Sequence, residues 1–136
     1  MVSQAMFGGS GEALVTAEFL RRGVPVYRPL VDNGADMVVD INGSLKRVQV
    51  KSSASDGHSI PFRFGRRNHN RKAGPCWTAY EHEPDLYALC CPGHDYIALV
   101  PSGRVSTRIT FGPAHADRLK DMEIGTVIGR LLEEDI

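Results

Sequence analysis

Residues 34–53 read GADMVVDINGSLKRVQVKSS, and this stretch predicts two short strands around a tight turn. The first predicted strand is Met37–Ile41 and the second is Lys46–Lys51, because both are rich in β-branched residues. Asn42-Gly43-Ser44 between them supplies residues that tolerate the positive φ a two-residue hairpin turn requires. The stretch therefore predicts an antiparallel hairpin.

The position of the two-residue turn decides which side chains lie opposite each other. A loop of residues 42–43 places Asp36 opposite Gln49, and a loop of residues 43–44 places it opposite Lys51. In both cases the three polar side chains share one face, because strand side chains alternate and paired residues point the same way. The other face is expected to enter the core and carries Met37, Val39, Ile41, Val48 and Val50.

This pattern of polar residues resembles the motif of the PD-(D/E)XK nuclease superfamily. That motif has an acid at the start of one strand, then an acid, any residue and a lysine on the next; here they are Asp36 and Gln49-Val50-Lys51. Ala35 stands in the place of the motif's proline, and Gln49 replaces the second acid. The glutamine resembles the branch of group I intron-encoded homing endonucleases that carries Gln there. Archaeal Holliday-junction resolvases are a more distant likeness.

The resemblance covers roughly residues 8–101 and implies a fold, a reaction and a metal. The implied fold is α/β, a restriction-endonuclease-like αβββαβ core with a central mixed sheet flanked by helices, and we expect residues 1–136 to form one such domain. The implied activity is Mg²⁺-dependent hydrolysis of DNA phosphodiester bonds, with Mn²⁺ able to substitute. Self-association as a homodimer or higher oligomer is also expected, since one such site cuts one strand.

The same resemblance assigns roles to individual residues. The catalytic set is Glu12, Asp36, Gln49 and Lys51. The metal would be held by the Asp36 carboxylate, the Gln49 amide oxygen, the Val50 main-chain carbonyl and, through a bound water, Glu12. Lys51 would lie against the nucleophile or the scissile phosphate.

A helix is predicted over Gly11–Arg22, with Ser10 as its N-cap and Gly23 as its stop signal. That prediction places Glu12 in the first turn, which leaves two interpretations open. Its charge is favourable near a helix N-terminus in any protein. The resemblance instead implies that Glu12 is a site residue beside the metal.

A basic segment follows the hairpin, within a polar stretch from Ser52 to Gly74. Five basic residues fall within ten positions with no acid among them: Arg63, Arg66, Arg67, Arg71 and Lys72. One interpretation is a solvated, flexible loop. The other is a track that contacts DNA phosphates, because arginine offers charge and paired donors to phosphate oxygens.

The remaining elements are predicted from shorter patterns. Val24–Leu30 reads as a short edge strand with prolines at its ends. Asp85–Cys91 and Asp95–Val100 read as covered strands joined by Pro92-Gly93-His94. Ala114–Met122 and Ile124–Glu134 read as helices. An apolar stripe on the second helix suits either a dimer interface or packing on the chain's own sheet: Ile124, Val127, Ile128, Leu131 and Leu132.

Composition sets limits on these interpretations. The 136 residues carry 16 Lys+Arg and 16 Asp+Glu, so DNA binding would have to depend on local clusters of charge. Three cysteines do not form an even disulfide framework, which favours reduced thiols and a cytoplasmic location over disulfides. Structural zinc usually needs C-x2–4-C pairs, and a strand would place Cys90 and Cys91 on opposite faces, so zinc is disfavoured. Two alternatives to a nuclease stay open: an inactive nucleic-acid-binding module of the same fold, and a protein-interaction domain.

Overall fold

The computed structural model describes residues 2–31, 34–55, 57, 59–64, 66–70, 74–78, 83–94, 96–104, 108–112 and 120–134, without the side chains of 66–70, 74–78, 104 and 134. In chain order the elements are α1 (Gln4–Arg21), β1 (Val26–Tyr27), β2 (Met37–Ile41), β3 (Ser44–Ser52), β4 (Ile60–Arg63), β5 (Arg66–Asn70), β6 (Gly74–Thr78), β7 (Leu86–Cys90), β8 (Ile97–Pro101), a 3-10 turn (Ser102–Arg104), β9 (Arg108–Phe111) and α2 (Ile124–Glu134).

A mixed five-stranded sheet in the order β1-β2-β3-β7-β8 forms the centre of the fold. β1, β2 and β3 pair antiparallel, β3 and β7 pair parallel, and β7 and β8 pair antiparallel. This confirms the predicted α/β class with a central mixed sheet. The predicted edge strand does lie at the edge, but it is shorter than expected, since only Val26 and Tyr27 pair with β2.

The hairpin of β2 and β3 has the first of its two predicted registers. Ile41 pairs with Ser44, so the loop is Asn42-Gly43. Both loop residues have positive φ, 55° at Asn42 and 88° at Gly43, as a type I′ turn requires. The Asp40 carboxylate accepts the Gly43 N–H at 2.6 Å, so Asp40 serves the turn.

Two apolar layers cover the two faces of the sheet. On one face, α1 and α2 pack through Val15, Phe19 and Ile124 onto β-strand residues that include Val39 and Val48. On the other face, a ribbon of β4 paired with β9 packs onto β7 and β8. Its aromatic contacts include Phe64 against Tyr87, with ring centroids 4.6 Å apart. The inward face predicted for the hairpin therefore lies under the helices.

The connection from β3 to β7 forms strands where the sequence pattern allowed a flexible loop. Among its described residues the chain forms β4, β5 and β6, and β5 pairs antiparallel with β6. Phe62 and Phe64 explain the β4 part of this difference, because they give the polar segment apolar side chains that the open face of the sheet buries.

The first helix begins seven residues earlier than predicted. Ser3 is its N-cap, with Oγ accepting the Met6 N–H at 3.2 Å, and Ser10 lies inside the helix with its hydroxyl bonded to the Phe7 carbonyl. The predicted start at Gly11 is wrong, because Ser3 supplies an N-cap further upstream. The C-terminal end was predicted correctly, since the Val24 N–H returns to the Phe19 carbonyl around Gly23.

The second helix resolves the alternatives for its apolar stripe. Ile124, Val127 and Ile128 are buried in the chain's own core, and Leu131 packs against it. Leu132 stays 40% exposed. The stripe therefore packs on its own sheet, and the suggestion that it forms a dimer interface is wrong. The other predicted helix, Ala114–Met122, lies mainly outside the described residues.

The strands β7 and β8 confirm the predicted pair around the Pro92-Gly93-His94 turn. Cys90 and Cys91 are both buried free thiols, and burial raises the pKa of Cys90 to about 11. In the part of the chain that is described, no helix is long and apolar enough to cross a membrane.

Candidate active site at the open edge of the sheet

The strand β3 continues past the beginning of β2. The last pair of their register is Met37 with Val48, so residues 49–52 of β3 extend beyond the strand that pairs with them on that side. Asp36 lies there instead: its N–H donates to the Val48 carbonyl at 2.9 Å, and its carboxylate accepts the Val50 N–H at 2.7 Å. The N–H and carbonyl of a strand residue point to the same edge. The Val50 carbonyl therefore points to the same open edge as the Asp36 carboxylate.

The helix α1 brings Glu12 to this edge from the sheet face that carries the core. Gly11, Val15 and Phe19 recur one turn apart and form the buried stripe of the helix. Glu12 neighbours Gly11 and faces a cavity of about 490 Å³ that is also lined by Asp36, Gln49 and Val50. A water takes about 30 Å³ in the liquid, so the cavity has room for a hydrated ion and part of a substrate.

Glu12 lies in the third turn of the helix, because the helix begins at Gln4. The interpretation of its charge as a first-turn partner of the helix dipole therefore fails. Instead its carboxyl meets that of Asp36. Burial raises the pKa of Glu12, and the negative charge of Asp36 and a hydrogen bond between the two carboxyls raise it further.

Arg28 is a cation at the site that sequence reasoning missed. Its Nη1 lies 3.4 Å from Glu12 Oε2, and its Nη2 lies 3.4 Å from the Thr16 hydroxyl one helical turn further on. This ion pair lowers the pKa of Glu12, against the larger effects of burial and Asp36. The signal for Arg28 was its place directly after the edge strand β1, whose last pair with β2 is Tyr27 with Val38.

Gln49 presents an amide oxygen without a partner. Its Oε1 is buried and accepts no hydrogen bond from any residue that the structure describes. Buried polar atoms are nearly always paired, so an exception at a cavity lined by two carboxylates makes Gln49 a candidate ligand-binding residue. Ser52 Oγ, which lines the same cavity, is the other such atom among the described residues.

Lys51 lies on β3 two residues after Gln49 and level with Leu89 of β7. Val48 and Val50 pack under the helices, so alternation turns Gln49 and Lys51 toward the opposite face. Lys51 is half-buried and does not line the cavity that the carboxylates share. The structure thus groups Glu12, Asp36, Gln49 and Val50 around one cavity and places Lys51 on the adjoining face.

The sequence comparison decides the family to which this site belongs. Residues 2–125 match the sequence profile of the PD-(D/E)XK endonucleases, which is most of the chain.

The chain belongs to the PD-(D/E)XK endonuclease family.

A solved structure shows the same fold. The bacterial homing endonuclease I-Ssp6803I is similar over 98% of this chain and 96% of its own, with a TM-score of 0.78 and 19% sequence identity. No curated protein sequence matches the chain. The chain is therefore a nuclease of the PD-(D/E)XK family whose fold is that of a homing endonuclease.

PD-(D/E)XK nucleases generally use divalent metal ions, and the donor set here fits one. Carboxylate and amide oxygens are the ligands that hard cations such as Mg²⁺ prefer. No cluster of three or more His, Cys, Asp or Glu side chains suited to a metal occurs in the described part of the chain. The Gln49 side chain lines the same cavity as the Glu12 and Asp36 carboxylates, so three oxygen-bearing side chains surround it.

The structure describes only part of the basic segment. Arg63 is exposed on β4, where it pairs with Arg108 of β9. Arg66 and Arg67 lie on β5, but their side chains are not described. Arg71 and Lys72 lie outside the described residues.

Proposed function

We propose that this protein is a Mg²⁺-dependent endodeoxyribonuclease, with Mn²⁺ able to replace Mg²⁺. The observation that carries the proposal is the buried Gln49 amide oxygen, which has no partner among the described residues and lines one cavity with two carboxylates. Membership of a nuclease family supports the reaction class.

Each residue of the proposed site has a distinct task. Asp36 ligates the cation through its carboxylate, which its bond to the Val50 N–H holds at the edge of the sheet. Gln49 contributes its amide oxygen and Val50 its carbonyl oxygen. Glu12 accepts a hydrogen bond from a water in the cavity and orients it. A divalent cation, when bound, stabilises negative charge and makes water a better nucleophile at neutral pH.

Lys51 is proposed to contact the attacked phosphate. An ammonium group on the face that adjoins the cavity stabilises the charge that develops on the phosphate oxygens. It also lowers the pKa of a nearby water. Replacing the usual second acid by Gln49 removes one negative charge, so the site is expected to bind its cation weakly and to hold fewer than two ions until DNA contributes phosphate oxygens.

DNA binding is proposed to use the basic segment, with Arg63, Arg66, Arg67, Arg71 and Lys72 contacting phosphates. The exposed position of Arg63 supports this assignment. Such contacts add affinity without reading sequence, because phosphates are the same at every base pair. The whole chain, residues 1–136, is proposed to act as one nuclease domain.

Self-association is also proposed, because one such site cuts one strand and two-fold symmetry is the commonest arrangement of protomers. The surface used must be other than the apolar stripe of α2, which the core occupies. Sedimentation velocity at tens of micromolar protein, with and without DNA, measures this. A monomer under both conditions would reject it.

Nicking of supercoiled plasmid with Mg²⁺, Mn²⁺ or EDTA tests the proposed activity. Cleavage should need the cation and should collapse in Lys51→Ala. Lys46→Ala is the matched control, because Lys46 lies on the same strand but at the hairpin end, paired with Val39. DNA binding without cation-dependent cleavage would instead show an inactive binding module. The absence of DNA binding at low salt would favour a protein-interaction domain.

A further inference from the structure

Ser52 ends β3 with a buried hydroxyl that the proposed mechanism does not use. Its Oγ has no hydrogen-bond partner among the residues described, although its side chain lines the same cavity as Glu12 and Asp36. A hydroxyl is easily satisfied, because it rotates freely and can both donate and accept. A buried one left without a partner therefore points to a ligand or water held at that place.

The helix α1 is shaped around this hydroxyl. A methyl group on Gly11 would overlap Ser52 Oγ and would lie 3.2 Å from Ser52 Cβ. Glycine in the interior of a helix lowers its stability relative to alanine. Gly11 thus lowers the stability of the helix but leaves room for the Ser52 hydroxyl. The same turn of the helix carries Glu12.

Ser52 and Gln49 reach the cavity from opposite faces of the strand. Ser52 has the same parity as Val48 and Val50, whose side chains turn toward the helices. Its hydroxyl therefore lies on the Glu12 side of the open edge, where α1 packs. Mg²⁺ keeps several of its waters when proteins bind it, so a hydrated cation presents water hydrogens and oxygens to groups that surround the direct ligands.

We propose that Ser52 is a positioning residue of the cation site, whose hydroxyl hydrogen-bonds a water that the cation and Glu12 also hold. This inference rests on the proposed function, because it needs a cation in the cavity. Outer groups of this kind orient the direct ligands, and their loss lowers metal affinity by about 10- to 100-fold. In the cation-free protein the buried hydroxyl without a partner costs free energy. That cost is offset when the hydrated cation binds and supplies a hydrogen-bond partner.

Calorimetric titration of Mn²⁺ into the full-length protein tests the proposal without needing turnover. Wild type, Ser52→Ala and Ser52→Gly should all be compared, together with thermal unfolding of each cation-free protein. Both variants should bind Mn²⁺ about tenfold more weakly. Cation-free Ser52→Ala should be at least as stable as wild type, because it no longer buries an unsatisfied hydroxyl. Ser55→Ala is the control, because this nearby serine is exposed and does not line the cavity.

The outcomes separate this inference from the function on which it rests. If Ser52→Ala, or whichever of the two variants folds, binds Mn²⁺ as tightly as wild type, the positioning role is overturned. The proposal of a metal-dependent nuclease is unaffected by that result. No saturable Mn²⁺ binding by wild type rejects the cation site itself, and the inference falls with it. A purely structural role for Ser52 moves thermal stability alone, whereas the positioning role moves the Mn²⁺ dissociation constant.

Discussion

The Asp36 carboxylate accepts the backbone N–H of Val50 at 2.7 Å, so the candidate metal ligand also closes the edge of the sheet where β2 has not yet begun. Two substitutions of Asp36 can separate its role as a metal ligand from its hydrogen bond to Val50. Asp36→Asn keeps an oxygen for the Val50 N–H but loses the charge, and Asp36→Ala loses both. Cleavage should fall by roughly a hundredfold or more in each, the scale for removing one preorganised electrostatic group.

Stability should distinguish the same two variants. A neutral hydrogen bond contributes about 0.5–1.5 kcal/mol, so Asp36→Ala, which has no acceptor for the Val50 N–H, should be less stable than Asp36→Asn by about that amount. Urea unfolding monitored by circular dichroism measures the difference. Equal stability of the two variants would show that the bond to Val50 contributes nothing to the fold.

The raised pKa of Glu12 predicts how stability depends on pH. Burial raises the pKa of Glu12 in the folded protein, and Asp36 adds to the rise. The folded state therefore binds a proton more tightly than the unfolded chain, so the contribution of Glu12 to stability decreases as pH rises from the unfolded pKa through the folded one. Glu12→Gln should remove this decrease and leave the neutral-pH protein more stable. Urea midpoints from pH 4 to 8 check it, and Glu133→Gln, an exposed residue of α2, is the control.

Arg28 should limit the rise in the Glu12 pKa, because its guanidinium pairs with the Glu12 carboxylate. Arg28→Ala should raise the Glu12 pKa further and shift the decrease in stability to higher pH. NMR titration of the Glu12 carboxyl carbon reports the pKa directly. A lower Glu12 pKa in Arg28→Ala would contradict the geometry of this ion pair.

Gly11 and Ser52 should be coupled energetically. Gly11→Ala should lower the free energy of unfolding by about 1–3 kcal/mol, the usual cost of overpacking, although alanine favours helix. In Ser52→Ala the overlapping oxygen is gone, and only the 3.2 Å approach of the two Cβ atoms remains. The same substitution should therefore cost less in that background. A double-mutant cycle with additive effects would contradict the close approach.

If the basic segment contacts phosphates, it should contribute to the salt dependence of DNA binding. Each lost phosphate contact lowers the slope of log K against log salt by roughly 0.9, so Arg66→Ala with Arg67→Ala should lower it by up to about two. The single-turnover rate at saturating DNA should change little. Arg21→Ala is the control, because Arg21 pairs with Glu18 at the far end of α1. An unchanged slope would leave the segment as a solvated part of the chain.

Much of the hairpin was determined by sequence alone. Alternating β-branched residues and the Asn42-Gly43 turn encode local geometry, and local geometry fixes the parity of every side chain on two paired strands. The sequence therefore predicted that Asp36 and Gln49 would come together. It left the register open by two residues, because two overlapping turns were both chemically acceptable, and the structure selects the turn at Asn42-Gly43.

The tertiary structure decided what surrounds that hairpin. The ion pair of Arg28 with Glu12 and the buried hydroxyl of Ser52 both depend on how a helix packs over a strand far from it in sequence. So does the use of the α2 stripe for the core in place of an interface. Periodicity shows which residues of an element share a face, but burial depends on what the rest of the chain places against that face.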